Sequence, residues 1–337
     1  MEKKRNLATR SLGGMEVSAM GFGCMNFVWA YGHVMGKEES VPVIRHAYEQ
    51  GVTLFDTAEI YGTFTSEEYV GEALAPVRDE VKISTKVGFD VDFSTGAING
   101  LNAGRGHLRK ALEGSLRRLK TDRVDMLYLH RLDKKVPVEE VAETMGELIR
   151  EGKVLHWGLS EVGPKTIRRA HAVTPLSAVQ NEMSLWTRLS EPYVLDVCEE
   201  LGIGFVAWSP LGMGYFTGTV DGRSVFRGND LRAILPRFRK EAMDANRGLV
   251  DILQVVADKY GARPGQIQLA WEMAKRPFIV PIPGTTRIDH LDENLAALDI
   301  QLNQEDMDYL DRESAAFNVM GALTTEELGE SLDDMTE

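Results

Sequence analysis

The stretch Thr53-Leu54-Phe55-Asp56-Thr57-Ala58-Glu59-Ile60-Tyr61-Gly62 decides the reading of this chain, because a short apolar run ends in a carboxylate and a phenol follows closely. Strands buried on both faces of a parallel sheet read as short continuous apolar runs, without the polar alternation of a half-solvated sheet. The construction recurs. Val81-Lys82-Ile83-Ser84-Thr85-Lys86 ends in an ammonium, and Val124-Asp125-Met126-Leu127-Tyr128-Leu129-His130 ends in an imidazole. Further runs exit at Trp157-Gly158-Leu159-Ser160, Ala178-Val179-Gln180-Asn181, Phe205-Val206-Ala207-Trp208-Ser209 and Ile279-Val280-Pro281-Ile282-Pro283-Gly284. With Val17 to Gly23 in front, the chain holds eight candidate strands.

Helical patterns fill the gaps. Between Arg105 and Leu119 the residues Leu108, Ala111, Leu112, Leu116 and Leu119 share one face at a 3.6-residue period, and Val138, Val141, Ala142, Met145, Leu148 and Ile149 repeat it. Strand and helix alternating eight times predict an α/β chain folded as a (β/α)8 TIM barrel. Leu7 to Arg10 and Met15 to Ser18 flank Ser11-Leu12-Gly13-Gly14, which predicts an N-terminal β-hairpin under the barrel. In such barrels the chemistry sits where strands end, so the polar strand exits converge on one mouth.

The 337 residues read as a single domain, 1–337, since no Pro/Ser-rich linker or low-complexity tract divides them. The acidic segment 324–337 reads as a frayed or short solvent helix with no assigned role. A formal charge of −13 argues against nucleic acid and anionic membranes, both of which reward a basic face. Arg117-Arg118 and Arg168-Arg169 are read as solvated helix faces. No apolar run is long enough to cross a bilayer, and Met1-Glu2-Lys3-Lys4-Arg5 leads into no secretory-type apolar segment. A cytoplasmic location is expected, with Cys24 and Cys198 as reduced thiols. Seven scattered histidines give no metal-ligand spacing, and neither a G-x-G-x-x-G opening a helix nor a nucleophile elbow is present.

Asp56, Tyr61, Lys86 and His130 come from three neighbouring strand ends and form a candidate catalytic tetrad. Charges held at a buried mouth persist only when paired, which Asp56 and Lys86 can achieve. Tyr61 has an ordinary pKa near ~10, and a neighbouring ammonium favours its phenolate. At ~4 Å and an effective dielectric of ~20 that attraction is roughly 4 kcal/mol, opposed by desolvation. With His130 holding a substrate oxygen toward Tyr61, the group is a general acid beside an oxyanion-type donor.

These motifs resemble those of the aldo-keto reductase superfamily. Phe55 to Gly62, Ser84 to Gly88 and Tyr128 to Arg131 match its Asp, Tyr, Lys and His positions, over a likeness running from about Arg10 to Glu313. Gly158 to Glu161 is similar to the strand end of its bacterial and plant reductases. The resemblance implies hydride transfer from NADPH to a small-molecule aldehyde or ketone, with Tyr61 giving the proton. It also implies cofactor contacts: Ser160, Gln180 and Asn181 at the nicotinamide carboxamide, Trp208 stacked on the ring, and Ser209, Pro210, Leu211 and Gly212 at the pyrophosphate. Met213 stands where many relatives carry Lys or Arg. Gly284, Thr285, Thr286 and Arg287 are implied at the adenosine 2′-phosphate, where a helix N-terminus and a guanidinium both favour an anion. Glu293 and Asn294 would face adenine.

Phe27, Trp29, Tyr31, Phe64 and Trp186 follow strand ends and are expected to wall a pocket for bulky or aromatic carbonyls. The connection from Gly212 to Arg247, with Arg223, Arg227, Arg232, Arg237 and Arg239, is long enough to fold over a dinucleotide. The rival reading is a cofactor-binding regulatory subunit like the potassium-channel β-subunits of the same superfamily. A barrel isomerase or lyase would leave the cofactor-type strand ends unused.

Overall fold

The eight apolar runs become one parallel sheet. The structure, a computed structural model, describes residues 5–92, 94–329 and 332–336. A hairpin of β1 (Thr9–Leu12) and β2 (Met15–Ser18) comes first, then the barrel strands β3 (Phe22–Gly23), β4 (Leu54–Asp56) and β5 (Lys82–Val87). After a second hairpin, β6 (Phe89–Val91) and β7 (Ile98–Leu101), the barrel resumes with β8 (Val124–Leu129), β9 (Val154–Ser160), β10 (Ala178–Glu182), β11 (Gly204–Trp208) and β12 (Ile279–Pro281). Each barrel strand pairs in parallel with its neighbours in the order β3-β4-β5-β8-β9-β10-β11-β12. The N–H groups of Gly21 and Gly23 donate to the Pro281 and Pro283 carbonyls at 2.9 and 3.4 Å, and these bonds join the first strand to the last. The expected first strand, Val17 to Gly23, is divided: Met15–Ser18 belongs to the hairpin and only Phe22–Gly23 to the barrel.

Helices between strands form the outer layer: α1 (Lys37–Glu49), α2 (Thr65–Leu74), α3 (Arg105–Arg118), α4 (Val138–Arg150), α5 (Pro164–Val173) and α6 (Val194–Leu201). After β11 come α7 (Lys240–Ala245), α8 (Arg247–Tyr260) and α9 (Pro264–Lys275), and after β12 come α10 (Ile288–Ala296), α11 (Gln304–Ala315) and α12 (Glu326–Gly329). The apolar stripes of α3 and α4 are buried as their period requires.

The hairpin plugs the barrel floor. Leu12, Met15 and Val17 pack with Leu54, Met126, Tyr128, Ala178, Val206, Val280 and Ile282 inside the strands. Gly13 holds φ +57, and a Cβ there would lie 2.5 Å from Ser177 backbone, so only glycine fits the turn. Arg10 donates to the carbonyls of Met273, Arg276 and Ile279 around the C-terminal end of α9, pinning the plug. With the floor sealed, the opposite rim is the open end.

The acidic tail is more ordered than its composition suggests. Beyond α12, Asp333 Oδ2 accepts the Gly163 N–H at the start of α5, and Met335 Sδ lies 3.4 Å from Asn181 Nδ2. Arg118 is also not a solvated charge, since it pairs at 2.6 Å with the buried Glu67. Arg168 and Arg169 do form surface pairs, with Glu200 and Glu139. Among the described residues no helix is long and apolar enough to cross a membrane.

Candidate active site

Strand register brings Asp56, Lys86 and His130 to one rim, because β4, β5 and β8 are adjacent and each ends there. Tyr61 arrives on the turn after β4, whose path is fixed by Thr57 N–H to Ser84 O at 2.9 Å and Tyr61 N–H to Ala58 O at 3.2 Å. Lys86 Nζ is the hub. It donates to Asp56 Oδ1, to Thr57 O at 2.9 Å and to Tyr61 Oη at 3.1 Å. Asp56 Oδ2 accepts from Ser84 Oγ at 2.7 Å and Gln180 Nε2 at 2.9 Å. Every donor on this buried ammonium and both carboxylate oxygens are therefore used, which is how an ion pair survives burial.

Burial is the largest influence on the Lys86 ammonium and pulls its pKa down, yet Asp56 and Tyr61 overcome it and the net shift is upward. For Tyr61 burial also leads and raises the pKa; Lys86 opposes it without reversing it, and Asp56 adds to the rise. The expectation that the ammonium opposes desolvation holds in direction, but desolvation wins. Tyr61 is thus a protonated phenol at neutral pH. The His130 imidazole is held well below its ordinary pKa by burial, then by Arg131 and Lys86, so it stands neutral. Its Nδ1 is buried with no partner among the described residues. The ring lies edge-on to Tyr61 at 5.8 Å and to Phe89 at 5.1 Å.

From Tyr61 and Asp56 a cleft of about 700 Å³ runs to Asn294. Gln180, Trp208, Ser209, Pro210, Leu211 and Met213 line its near half, and Gly284, Thr285, Thr286, Glu293 and Asn294 its far half. The far wall includes the first turn of α10 through Asp289 and His290. The long connection after β11 crosses over it. Ala30 O accepts the Leu231 N–H, Tyr31 bridges Asp230, and Arg232 lies 4.8 Å from the Tyr31 ring, so two rim loops are tied above the cleft.

Several expected residues sit elsewhere. Along β10 Ala178, Gln180 and Glu182 point into the barrel, so Asn181 faces outward and bonds the Val162 backbone. Ser160 does face inward beside Gln180, its Oγ accepting from Arg131 at 3.1 Å, whereas Gly212 lies behind the cleft wall, where a Cβ would meet the Phe216 ring at 2.8 Å. Arg287 is present at the start of α10, but Asp289 occupies its guanidinium fork. Of the five aromatic residues, Trp29 lies 5.5 Å from Tyr61 and Tyr31 lines the cleft. Phe27 is fully buried against Phe22, Phe64 stacks under Arg118 at 4.1 Å, and Trp186 joins Tyr215, Phe216 and Phe238 in a separate cluster. Phe27 and Trp186 are revised from pocket to core, and Phe64, half-buried, packs its loop against Arg118.

Arg232 lines the cleft, as the long connection was expected to provide, whereas Phe89 was not singled out from sequence and Arg131 and Glu161 entered only as the ends of motifs. The β6–β7 hairpin that carries Phe89 has a legible signal in Phe89 and Val91 facing Ile98 and Leu101 across a Ser-Thr-Gly turn. Arg131 and Glu161 directly follow strand-end residues already named.

A closed parallel barrel with a buried Asp–Lys–Tyr network at its rim can give a proton to a substrate oxygen, and the fold alone does not say to which. The chain belongs to the aldo/keto reductase family, whose model matches residues 19–314. It is 42% identical over 296 residues to a "Probable aldo-keto reductase 1" of Glycine max, covering 87% of this chain and 84% of that one. An aldo/keto reductase from Klebsiella pneumoniae, solved in complex with NADP and acetate, superposes with TM-score 0.71 at 27% identity, over 95% of this chain and all of that one (100%). The glycerol dehydrogenase AKR11B4 from Gluconobacter oxydans superposes with TM-score 0.82 at 25% identity, covering 96% and 99%.

Proposed function

We propose that this chain reduces the carbonyl of a small aldehyde or ketone with NADPH, Tyr61 serving as the general acid. The observation that carries the reading is the Lys86 ammonium seated between Asp56 and Tyr61 at the inner end of a long cleft. That cleft suits a dinucleotide. Its lining includes both the Trp208 indole beside Tyr61 and the first turn of α10, where backbone N–H groups and the helix dipole favour phosphate. When bound, NADPH would supply the hydride.

The chain's own residues do the rest. Trp208 would give the nicotinamide its stacking surface, with Gln180 beside it and Gly284, Thr285 and Thr286 at the far phosphate. Tyr61, protonated at neutral pH, donates its hydroxyl proton to the carbonyl oxygen as negative charge develops there. Lys86 stabilises the phenolate left behind, and Asp56 keeps Lys86 charged through the transfer. Neutral His130 donates a hydrogen bond to the same oxygen and sets its approach. Trp29, Tyr31 and Phe89 flank the space above Tyr61 and His130 and supply an aromatic wall. A cofactor-binding regulatory subunit is not favoured, since the relatives named above carry reductase and dehydrogenase names.

Tyr61→Phe is the test. It should abolish NADPH oxidation by carbonyl substrates while leaving the NADPH dissociation constant within about twofold, because the hydroxyl acts only in the transition state. Retained turnover would remove Tyr61 as the acid.

A further inference from the structure

Strand β9 ends at Ser160, and the next residue, Glu161, turns the chain with φ +56, a conformation that costs a non-glycine residue free energy. The strained residue is also buried, with 3% of its surface exposed. Its Oε1 accepts two N–H groups, the Glu182 backbone at 2.7 Å and the Trp208 indole Nε1 at 2.6 Å. A short bond from an indole N–H to a carboxylate is charge-assisted, and it fixes the ring's plane. That ring forms the cleft wall beside Tyr61, Asp56 and Gln180. Glu182 stands next to Glu161, with Arg131 and Arg237 facing it.

We propose that Glu161 is a positioning residue that fixes and polarises the Trp208 indole, so that the cleft favours the cationic oxidised nicotinamide over the neutral reduced one. The inference rests on the NADP(H) reading above. A carboxylate drawing on Nε1–H pushes electron density into the indole π system, and an electron-richer face attracts a cation more strongly while a neutral ring gains little. Preference for NADP+ over NADPH is then a property of one hydrogen bond, and it makes bound NADPH the readier hydride donor.

The test needs no turnover. Dissociation constants for NADP+ and for NADPH are measured by calorimetry on the full chain, as wild type, Glu161→Gln, Trp208→Phe and the double variant. Gln keeps an acceptor for both N–H groups and removes only the charge. Glu161→Gln should lower the affinity ratio for NADP+ over NADPH by about 3- to 10-fold, the scale of a partly desolvated cation–π contact. Trp208→Phe should lower it similarly, and adding Glu161→Gln to that variant should change it little further. An unchanged ratio in Glu161→Gln, or equal weakening of both nucleotides, overturns the proposal. So does a full effect of Glu161→Gln in the Phe background, which would mean the charge acts without the indole. If Glu161→Gln shows no cooperative melt, Trp208→Phe alone decides, and an unchanged ratio there is refuting. A wild-type chain that binds neither nucleotide overturns the cofactor reading and this inference together, whereas binding with an insensitive ratio overturns only the latter.

Discussion

Replacing Lys86 by Met removes the hub of the buried network and should act on two quantities at once. The ammonium lies 3.1 Å from Tyr61 Oη, and one unit charge at that distance with an effective dielectric of ~20 is worth about 5 kcal/mol to a phenolate. If about half of that attraction is expressed as the proton leaves Tyr61, ~2.7 kcal/mol is lost from the transition state, or about 100-fold in kcat. Stability falls for a different reason. Asp56 keeps Ser84 Oγ at 2.7 Å and Gln180 Nε2 at 2.9 Å but loses its counter-charge. Orphaning one half of a buried pair costs about 3–5 kcal/mol, and two surviving hydrogen bonds place this case near ~3. In a chain of this size that is a drop in Tm of about 4 °C. The assay pairs steady-state NADPH oxidation across pH with a thermal melt and an NADPH titration. The reasoning fails if the folded variant turns over within threefold of wild type at every pH, even should the Tm fall as expected, because Lys86 would then be structural only.

Three further outcomes are expected. The folded-state pKa of His130 lies well below its ordinary 6.5, so its stabilising contribution is present above 6.5 and is lost as pH falls through the folded value. His130→Gln should therefore flatten the decline of Tm below pH 6.5 while cutting kcat more than NADPH affinity, and an unchanged acid limb would contradict a buried neutral imidazole. Glu59 is raised from 4.5 to about 8, chiefly by burial and then by Glu67; its contribution is present below 4.5 and lost as pH rises through about 8. Since the Gly88 and Phe89 backbone N–H groups only partly offset the burial and Oε2 has no partner among the described residues, Glu59→Gln should gain stability on wild type between those values, and parallel pH–Tm curves would refute this. At the far end of the cleft Asp289 competes for Arg287. Asp289→Asn should tighten NADPH severalfold and leave NADH unchanged, while Arg287→Met should weaken NADPH about tenfold, the scale of one charge-assisted contact at an exposed rim; equal effects on both nucleotides would show that Arg287 does not read the 2′-phosphate.

The barrel and its acid network were legible because their signal is local. An apolar run long enough to cross a sheet once and ending in Asp56, Lys86 or His130 places that residue at a rim whatever the partner strands are. The hairpin plug was legible for the same reason, through two glycines at a turn. What sequence did not yield was direction. Phe27, Trp29 and Tyr31 share one loop, but the short helical turn from Met25 to Phe27 sends Phe27 down to Phe22 and leaves the other two at the mouth. Phe64 and Trp186 likewise follow strand ends, yet each finds a partner in the helical layer or beneath the long loop. An aromatic residue on a loop can bury itself on either side, and only the fold chooses.

Asn181 differs, because its direction was available. Side chains along a strand alternate, so Gln180 and Asn181 cannot both face the cleft, and the hydrogen bond from Gln180 to Asp56 settles which one does. The same alternation runs through Gly158, Ser160, Gln180 and Glu182, four inward positions on two paired strands. Trp208 pairs with Glu182 on the next strand, and Glu161 reaches the indole because its left-handed backbone breaks the alternation at the strand end. A strict strand would have turned that carboxylate away from the indole, so the strained φ at Glu161 is what connects the wall of the cleft to a charge behind it.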